Sequence, residues 1–207
     1  MNAAPATPTR AERKRLTRDA LLRAATDEFA ARGFAGARVE EIAAQAGVTT
    51  GALYAHFADK EALFLAVYAA FAAERVQEVT EAGEGAPTAT RGLRAAADQW
   101  MERADTEPWG TRLHVEFAQH ARGSPQLRED FARRVAAVRD AATRVIEQHS
   151  AGRELPMAPD RLAAVLRALG IGLAIERLVD PDAIPRELFG DFVEVVFEAF
   201  LGQEGAE

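Results

Sequence analysis

Apolar side chains recur along most of the chain at the spacing of one face of an α-helix. Leu21, Leu22, Ala25 and Phe29 show the pattern first, at helical steps along the sequence. No segment alternates apolar and polar residues between turn residues, which is the pattern of a half-buried strand. The chain is also rich in alanine, leucine, glutamate and arginine, which favour helices. The pattern therefore predicts an all-α fold.

Glycine and proline divide this pattern into separate helices. Gly83, Gly85 and Pro87 separate two of the longer helices, and Pro181 and Pro185 mark a loop before the last one. The first three predicted helices are short and the rest are longer, which places a domain boundary within the fourth. We expect nine helices, at residues 16–32, 39–46, 50–56, 60–82, 88–105, 108–121, 125–150, 159–179 and 186–202.

The second and third predicted helices meet at a glycine turn. Gly47 stands where the turn requires a positive φ, and Ala43 is small where the two helices cross. Leu53 lies on the inner face and locks the helices together, while Thr49 or Thr50 caps the third helix. Helix, glycine turn and capped helix are typical of a helix-turn-helix unit, although other helical hairpins share them. The spacing favours DNA binding over an ordinary hairpin.

The outer face of the third helix carries side chains suited to DNA. Thr50, Gly51 and Ala52 are small, so the helix can approach base edges closely, and threonine can bond a base or contact a thymine methyl group. Tyr54 and His56 present polar tips that suit phosphate oxygens. The alternative for each of these residues is an ordinary solvated side chain.

Basic residues next to this helix extend the candidate surface. Lys60 opens the fourth predicted helix and offers a point charge to the DNA backbone. Arg38 directly precedes the second helix and could reach the opposite side of the groove. The bases between Arg10 and Arg18 could follow a minor groove, although a solvated, disordered start is the favoured interpretation.

The same stretch of sequence resembles the N-terminal domain of tetracycline-repressor (TetR) family transcriptional regulators. The motifs that carry the resemblance are Thr17–Leu22, Arg32–Phe34, Ala46–Val48, Gly51–Phe57 and Asp59–Leu63. The resemblance implies an N-terminal helix-turn-helix domain and a C-terminal domain for ligand binding and dimerisation. The DNA contacts that it implies are made by Thr49, Thr50, Gly51, Tyr54, His56 and Lys60.

Two positions depart from the family pattern. Arg38 stands where the family usually has a threonine or serine cap, and Asp59 replaces a common serine. Arginine caps poorly, so Ala37 or a water would cap the second helix, whereas Asp59 still caps the fourth. The expected domains are a disordered basic tail at 1–15, a helix-turn-helix domain at 16–62, and a ligand-binding and dimerisation domain at 63–207.

The last predicted helix is apolar nearly all round, apart from a narrow stripe formed by Asp191, Glu194 and Glu198. Such a helix must bury two faces, and a chain of 207 residues has little to cover the second. A partner chain is therefore expected, with full burial in one subunit as the alternative. The family resemblance implies a homodimer that pairs the last two helices. The expected interface residues are Leu166, Leu173, Phe189, Val193, Val196, Phe197 and Phe200.

Aromatic side chains gather on the helices between these two regions. Aromatic walls with a few polar groups suit a site for an apolar ligand, although most such residues belong to ordinary cores. The candidate ligand-binding residues are Phe64, Tyr68, Trp100, Trp109, His114 and Phe117. His114 and His120 do not share a helical face, so we expect no metal site.

Charge and composition narrow the function further. The net charge is −7, but residues 1–60 carry +2 and the remainder −9, so the N-terminal part tolerates a polyanion best. Without cysteine, a glycine-rich phosphate loop or a nucleophile elbow, the sequence indicates neither an enzyme nor a cofactor.

The sequence thus predicts a cytoplasmic homodimer, without membrane contact, that binds a double-stranded palindromic operator and leaves it when an unidentified small-molecule effector binds. An activator or a ligand-independent regulator is one alternative. A small-molecule-binding helical dimer that does not read DNA is the alternative of another class.

Overall fold

The computed structural model describes residues 9–150, 155 and 157–201, and the regular structure within them is helical. The all-α prediction is confirmed. In chain order the described helices are α1 (Arg10–Gly36), α2 (Val39–Gln45), α3 (Thr50–Tyr54), α4 (Lys60–Glu84), α5 (Ala89–Thr106), α6 (Trp109–Ala121), α7 (Pro125–His149), α8 (Pro159–Val179) and α9 (Leu188–Leu201).

Helix α1 begins earlier than the sequence pattern predicts. Thr9 caps it: the Glu12 amide donates to Thr9 Oγ1 at 3.2 Å, and the Thr9 amide donates to Glu12 Oε2 at 2.6 Å. This reciprocal capping satisfies two otherwise unpaired donors, so the basic residues Arg10–Arg15 are helical rather than a disordered tail. Residues 1–8 of the expected tail lie outside the described residues.

The end of α1 depends on Gly33. Its φ of 67° is positive, a region that favours glycine, whereas its ψ of 179° is extended. Gly33 therefore does not form a left-handed helical cap. A further helical turn follows, and the Ala37 amide donates to the Gly33 carbonyl at 3.2 Å. The chain is thus redirected before α2 begins.

The chain forms two compact units that divide after Tyr68, within α4 and later than the expected boundary. In the first unit, α2 packs against α1 and α3. Leu21, Ile42 and Leu53 are fully buried there. The Phe64 ring completes this core, with its centroid 4.9 Å from that of Phe29 and 4.8 Å from that of Phe34.

The second unit, from Ala69 onward, has its own core. Helix α5 packs most extensively against α9, and α7 packs against α8. The buried residues of this core include Leu93, Ala97, Met101, Val145, Ile146, Leu162, Leu166, Phe189, Val193 and Phe197. Within the described part of the chain, no helix is both long and apolar enough to cross a membrane.

The placement of α9 corrects the choice of interface residues. Leu166, Phe189, Val193 and Phe197 are buried in the core of their own chain, with Val193 and Phe197 only 1% exposed. Such side chains have almost no surface left for a partner. Leu173 and Val196 are half-buried beside the same core. The side chain of Phe200 lies outside the described residues.

Candidate DNA-binding surface and ligand cavity

The turn between α2 and α3 has the geometry that the sequence predicts. Gly47 has a φ of 71°, which an L side chain adopts only with strain. The Gly47 amide donates to the Ala44 carbonyl at 3.0 Å, and the Val48 amide donates to the Ala43 carbonyl at 2.9 Å. These two bonds close the end of α2 as a Schellman motif. The turn therefore pairs the Ala43 and Ala44 carbonyls as it directs the chain into α3.

Helix α3 is short, capped and divided into two faces. Thr49 Oγ1 accepts from the Ala52 amide at 3.2 Å, so Thr49 rather than Thr50 is the cap. Leu53 is fully buried, whereas the neighbouring Tyr54 is 49% exposed and Gly51 is also exposed. Of the other candidate DNA contacts, Thr50, Ala52 and His56 are half-buried, and Thr49 is exposed.

A side chain from α1 binds the backbone at the start of α2. Arg38 precedes the helix without making a side-chain capping bond in the described structure. Instead, Glu28 Oε1 accepts from the Arg38 amide at 3.2 Å and also pairs with Arg32 at 3.1 Å. Glu28 is only 8% exposed. Glu28 thus pairs one backbone donor at the start of α2, and the Arg38 side chain remains exposed. The expected cap by Ala37 or a water stays a prediction.

The start of α4 holds the last candidate DNA contact. Asp59 Oδ1 accepts from the Ala62 amide at 2.7 Å, so the expected cap is formed. Lys60 Nζ lies 4.8 Å from the Phe34 ring centroid and 3.4 Å from the Ala35 carbonyl oxygen. The ammonium group thus rests on the end of α1, where the aromatic face stabilises its charge. Its contact with phosphate stays a prediction.

The predicted ligand residues have different surroundings within each unit. Phe64 and Tyr68 are buried in the first unit, where Phe64 belongs to the aromatic core. In the second unit, His114 and Phe117 both pack against Phe131, with ring centroids 5.2 Å and 5.0 Å apart respectively. Burial, together with the charge of Arg167, lowers the pKa of His114 to about 4. At neutral pH, His114 is uncharged.

Trp100 and Trp109 lie instead around a small cavity formed by α4, α5 and α6. Trp100 lines the cavity, and Trp109 contacts one of its walls, Phe71, with ring centroids 5.6 Å apart. The Trp100 indole N–H donates to the Gly170 carbonyl at 3.0 Å, which fixes the ring against α8. The lining residues are Phe71, Arg75, Trp100, Arg103, Ala104, Glu107, Gly110 and Thr111.

Arg75 is the most unusual residue of this cavity, because it is charged and only 3% exposed. Its Nη2 donates to Glu78 Oε1 at 2.7 Å, and Arg103 Nη2 lies 2.8 Å from the same oxygen. Its guanidinium carbon lies 5.2 Å from the Phe71 ring centroid. Burial lowers the pKa of Arg75, although Glu78 opposes the shift, and burial raises the pKa of Glu78.

Sequence reasoning did not single out Arg75. Its spacing to Glu78 is that of a common ion pair on a helix surface. Only the arrangement of α5 and α6 around it makes Arg75 a buried residue. The one signal in the sequence is its position one helical turn after Phe71, on the face that continues the aromatic stripe of α4.

A short capped helix with small and polar residues outward, set on a glycine turn over an apolar core, defines the helix-turn-helix class of DNA-binding proteins. Residues 21–67 match the family model described as bacterial regulatory proteins of the tetR family. Residues 89–202 match that of the BetI-type transcriptional repressor C-terminal domain. The chain belongs to the TetR family of transcriptional regulators, and its fold and family are those of regulators rather than enzymes.

Curated relatives agree with this assignment. The chain is 30% identical over 167 residues to the transcriptional regulator TcmR of Streptomyces glaucescens, covering 78% of this chain and 73% of TcmR. It is 35% identical over 99 residues to the transcriptional activator FasR of Mycolicibacterium smegmatis, covering 48% and 45%. It is 30% identical over 129 residues to the transcriptional repressor AcnR of Corynebacterium efficiens, covering 62% and 63%. The chain thus spans less than two thirds of FasR and AcnR.

Solved structures share the fold. A transcriptional regulator from Rhodococcus sp. Rha1 superimposes with a TM-score of 0.72 at 26% identity, covering 89% of this chain and 95% of that one. Reduced NemR from E. coli superimposes with a TM-score of 0.75 at 22% identity, covering 87% and 96%. At that identity NemR supports the helical architecture alone.

Proposed function

We propose that this protein is a homodimeric repressor that binds a palindromic operator and is released from it by a small-molecule effector. The observation that carries the proposal is α3, whose Leu53 is buried while Gly51 and Tyr54 are exposed on the other side. A helix held in this way can enter a major groove. Repression rather than activation is supported by the match to a repressor C-terminal model and by the similarity to AcnR.

In this proposal, some residues around α3 contact bases and others contact phosphates. Thr50, Gly51 and Ala52 approach base edges, where small side chains permit close contact. Tyr54, His56 and Lys60 contact phosphates, which position the helix without reading sequence. Thr49 uses its hydroxyl as a cap, so it has one fewer hydrogen-bonding function to offer DNA.

The dimer in this proposal uses the outer face of α9. Leu188, Phe192 and Val195 are exposed there at helical steps, with Phe192 at 41% and Val195 at 66% exposure. On α8, Val165 is 47% exposed, and nothing lies within 4 Å of a Cβ added at Gly172. An apolar face of this kind supports pairing with a second copy. Two-fold symmetry would set two recognition helices on successive major grooves, roughly 34–36 Å apart.

Effector release is proposed to act through α4. This helix supplies Phe64 to the core of the first unit and both Phe71 and Arg75 to the cavity of the second. A ligand that displaces Phe71 would therefore act on a helix that also carries Lys60. A coupling of about 1–3 kcal/mol gives roughly 5–150-fold release. We place the protein in the cytoplasm, where such an operator would be.

The test is selection of bound duplexes from a random DNA pool, followed by affinity measurements over a series of salt concentrations. For the selected sequence, Lys60→Ala should lower the affinity and reduce the log–log salt slope by about one. Tyr54→Phe should weaken all sequences alike, because it removes a backbone contact without base information. Arg144→Ala is a matched control, since Arg144 is an exposed base on α7 in the second unit.

Failure to enrich any sequence would contradict the proposal and favour a small-molecule-binding dimer that does not read DNA. A change in base preference with an unchanged salt slope would show that Tyr54 or Lys60 does not act on phosphate. In a reporter assay with the selected operator between promoter and gene, loss of the protein should raise expression. A fall in expression would identify an activator, as FasR is named.

A further inference from the structure

We propose that the cavity between α4, α5 and α6 takes a flat, apolar ligand whose neutral hydrogen-bond acceptor pairs with Nε–H of Arg75. This inference rests on the proposed function, in which the second unit binds an effector. It adds where the ligand sits, which atom orients it and which chemical class is accepted. Three observations support the proposal: the unpaired Nε–H of Arg75, the aromatic side chains that line the cavity, and the charged groups around it.

The unpaired donor is the first observation. Arg75 is 97% buried, and its Nε makes no hydrogen bond in the described structure. Its Nη2 is already held by Glu78 at 2.7 Å, with Glu74 Oε2 at 3.9 Å. A buried donor without a partner is costly, and native proteins rarely leave one unsatisfied. Because Arg75 lines the cavity, an acceptor placed there would remove this cost.

The walls select a flat molecule. Phe71 and Trp100 are both lining residues, and the Trp100 ring is fixed by its bond to the Gly170 carbonyl. A Cβ added at Gly110 would lie 2.5 Å from Phe71 Cε2, so the Phe71 ring rests directly on the α6 backbone. Aromatic walls held in this way favour an offset-stacked, planar, apolar ligand.

The charges select a neutral acceptor. Arg75 and Arg103 form ion pairs with three carboxylates, Glu74, Glu78 and Glu107, of which only Glu107 lines the cavity itself. An anionic ligand would add to an existing excess of negative charge and would lose its hydration on burial. An ammonium ligand has no acceptor to offer and would leave Nε–H unpaired. A ketone, ester or amide oxygen pairs with Nε–H without changing the charge balance.

The size of the cavity implies that the walls move. About 10 Å³ of it is open to the centres of water-sized molecules, which is room for roughly one water. A planar ligand can therefore enter only if an aromatic wall is displaced. The Trp100 ring is hydrogen-bonded to α8, whereas Phe71 lies on α4. We therefore expect the Phe71 ring to be displaced when a ligand enters. Binding thereby reaches the helix on which effector release is proposed to depend.

The experiment compares matched compounds that differ only in their polar group, using isothermal titration calorimetry on the full chain. The pairs are acetophenone with ethylbenzene, and methyl naphthyl ketone with ethylnaphthalene; benzoate, naphthoate and benzylammonium test charge. Each ketone should bind about 10- to 100-fold more tightly than its hydrocarbon, the range expected for one buried bond to a charged donor. The two tryptophans of the chain, Trp100 and Trp109, should report binding through their fluorescence.

Arg75→Lys isolates the Nε–H, because it keeps a positive charge near Glu78 while removing that donor. It should abolish the preference for ketones over hydrocarbons without abolishing hydrocarbon binding. Arg134→Lys is the matched control: Arg134 Nε is also buried without an acceptor in the described structure, but Arg134 does not line the cavity. That variant should keep the preference. Hydrocarbon binding by Arg75→Lys shows that the variant is folded, and the wild-type comparison needs no variant at all.

Several results would overturn the inference. These are equal binding of ketones and hydrocarbons by the wild type, tighter binding of the carboxylates or benzylammonium, no binding of either ketone, or an unchanged preference in Arg75→Lys. Each concerns the ligand alone and leaves DNA binding to be judged by the selection experiment. Conversely, a chain that selects no DNA but discriminates ketones through Arg75 would contradict the proposed function and support this inference.

Discussion

The two units differ in how they treat buried polar groups. In the first unit, the buried Glu28 accepts a bond from the Arg38 amide and pairs with Arg32. In the second unit, the buried Arg75 has an Nε without an acceptor in the described structure, and burial lowers the pKa of His114 to about 4. The described buried carboxylate of the first unit is paired, whereas the second unit keeps a buried donor, Arg75 Nε, without an acceptor in the described structure.

This difference suits different tasks. A surface that reads DNA needs a fixed backbone, and satisfied caps at Thr49 and Asp59 together with a tightly packed aromatic core provide one. A unit that responds to a ligand needs a ligand-bound conformation of lower free energy than the ligand-free one. In the proposed site, a ligand that pairs with the unpaired buried donor would provide this difference in free energy. Mutations at buried and exposed positions of both units test this contrast.

The largest effect is expected on the two faces of α9. Phe197→Glu should unfold the chain, because Phe197 is 1% exposed and both its packing and the hydration of the new carboxylate would be lost. That cost of about 4 kcal/mol or more approaches the usual total of roughly 5–15 kcal/mol. Phe192→Glu, at a position 41% exposed, should leave a folded chain that no longer dimerises. Circular dichroism and analytical ultracentrifugation measure the two outcomes.

A folded dimer for Phe192→Glu would show that this face of α9 is not the dimer interface. A folded monomer for Phe197→Glu would mean that the buried face, rather than the exposed one, contacts the partner. Either result would contradict the assignment of the exposed face of α9 to the dimer interface.

The second effect concerns pH. His114 has a pKa of about 4 in the folded chain, below its ordinary value of 6.5, so the unfolded chain binds more protons between these values. The free energy of unfolding should therefore fall as the pH is lowered from 6.5 to 4, by up to about 3 kcal/mol from this residue. Above pH 6.5 the residue should have no pH-dependent effect.

Urea unfolding of the wild type and of His114→Phe over this pH range measures the effect by difference. Subtraction removes the contributions of the carboxylates, which titrate in both proteins. The destabilisation on acidification should be smaller in the variant. Parallel pH profiles would show that His114 is protonated in the folded chain as readily as in the unfolded one.

The smallest effect separates two glycines of the helix-turn-helix unit. Gly47→Ala should destabilise the chain by about 1 kcal/mol, because alanine is strained at the positive φ of 71° although nothing lies within 4 Å of its Cβ. Gly51→Ala introduces no such strain, since its Cβ would meet only Thr49 Oγ1 at 3.9 Å. It should keep the thermal stability but weaken operator binding, because the methyl group projects from the surface proposed to face DNA.

Thermal unfolding measures the stability of both variants, and titration with operator DNA measures their affinity. Equal stability of the two variants would mean that Gly47 is not constrained by its backbone. Unchanged operator affinity of Gly51→Ala would place the base contacts elsewhere on the first unit.

Local signals in the sequence predicted much of the fold. Gly47 determines its turn through its own backbone, and Asp59 caps through its own side chain, so both were predictable from the residues themselves. The early start of α1 was also predictable, because Thr9 and Glu12 have the spacing of a capping box. Each of these features depends on residues at most a few positions apart.

Features that depend on packing were not predictable in the same way. An apolar helix such as α9 does not indicate which of its faces meets its own core, so Phe189 and Phe197 were assigned to the partner. Phe64 was assigned to a ligand, although the bend at Gly33 brings Phe34 to it. Arg75 is buried only because α5 and α6 enclose it. These assignments require contacts between residues that are distant in sequence.

Glu28 has a consequence for how such a regulator can diverge. The residue that directly precedes a helix is normally constrained, because its side chain must cap the helix or leave amides of the first turn unpaired. Here the Arg38 side chain makes no capping bond and Glu28 from α1 pairs the Arg38 amide, so the start of α2 does not depend on the side chain at position 38. Its side chain can change without loss of the start of α2. This exposed position is therefore open to substitution during evolution, while Glu28 keeps the Arg38 amide paired.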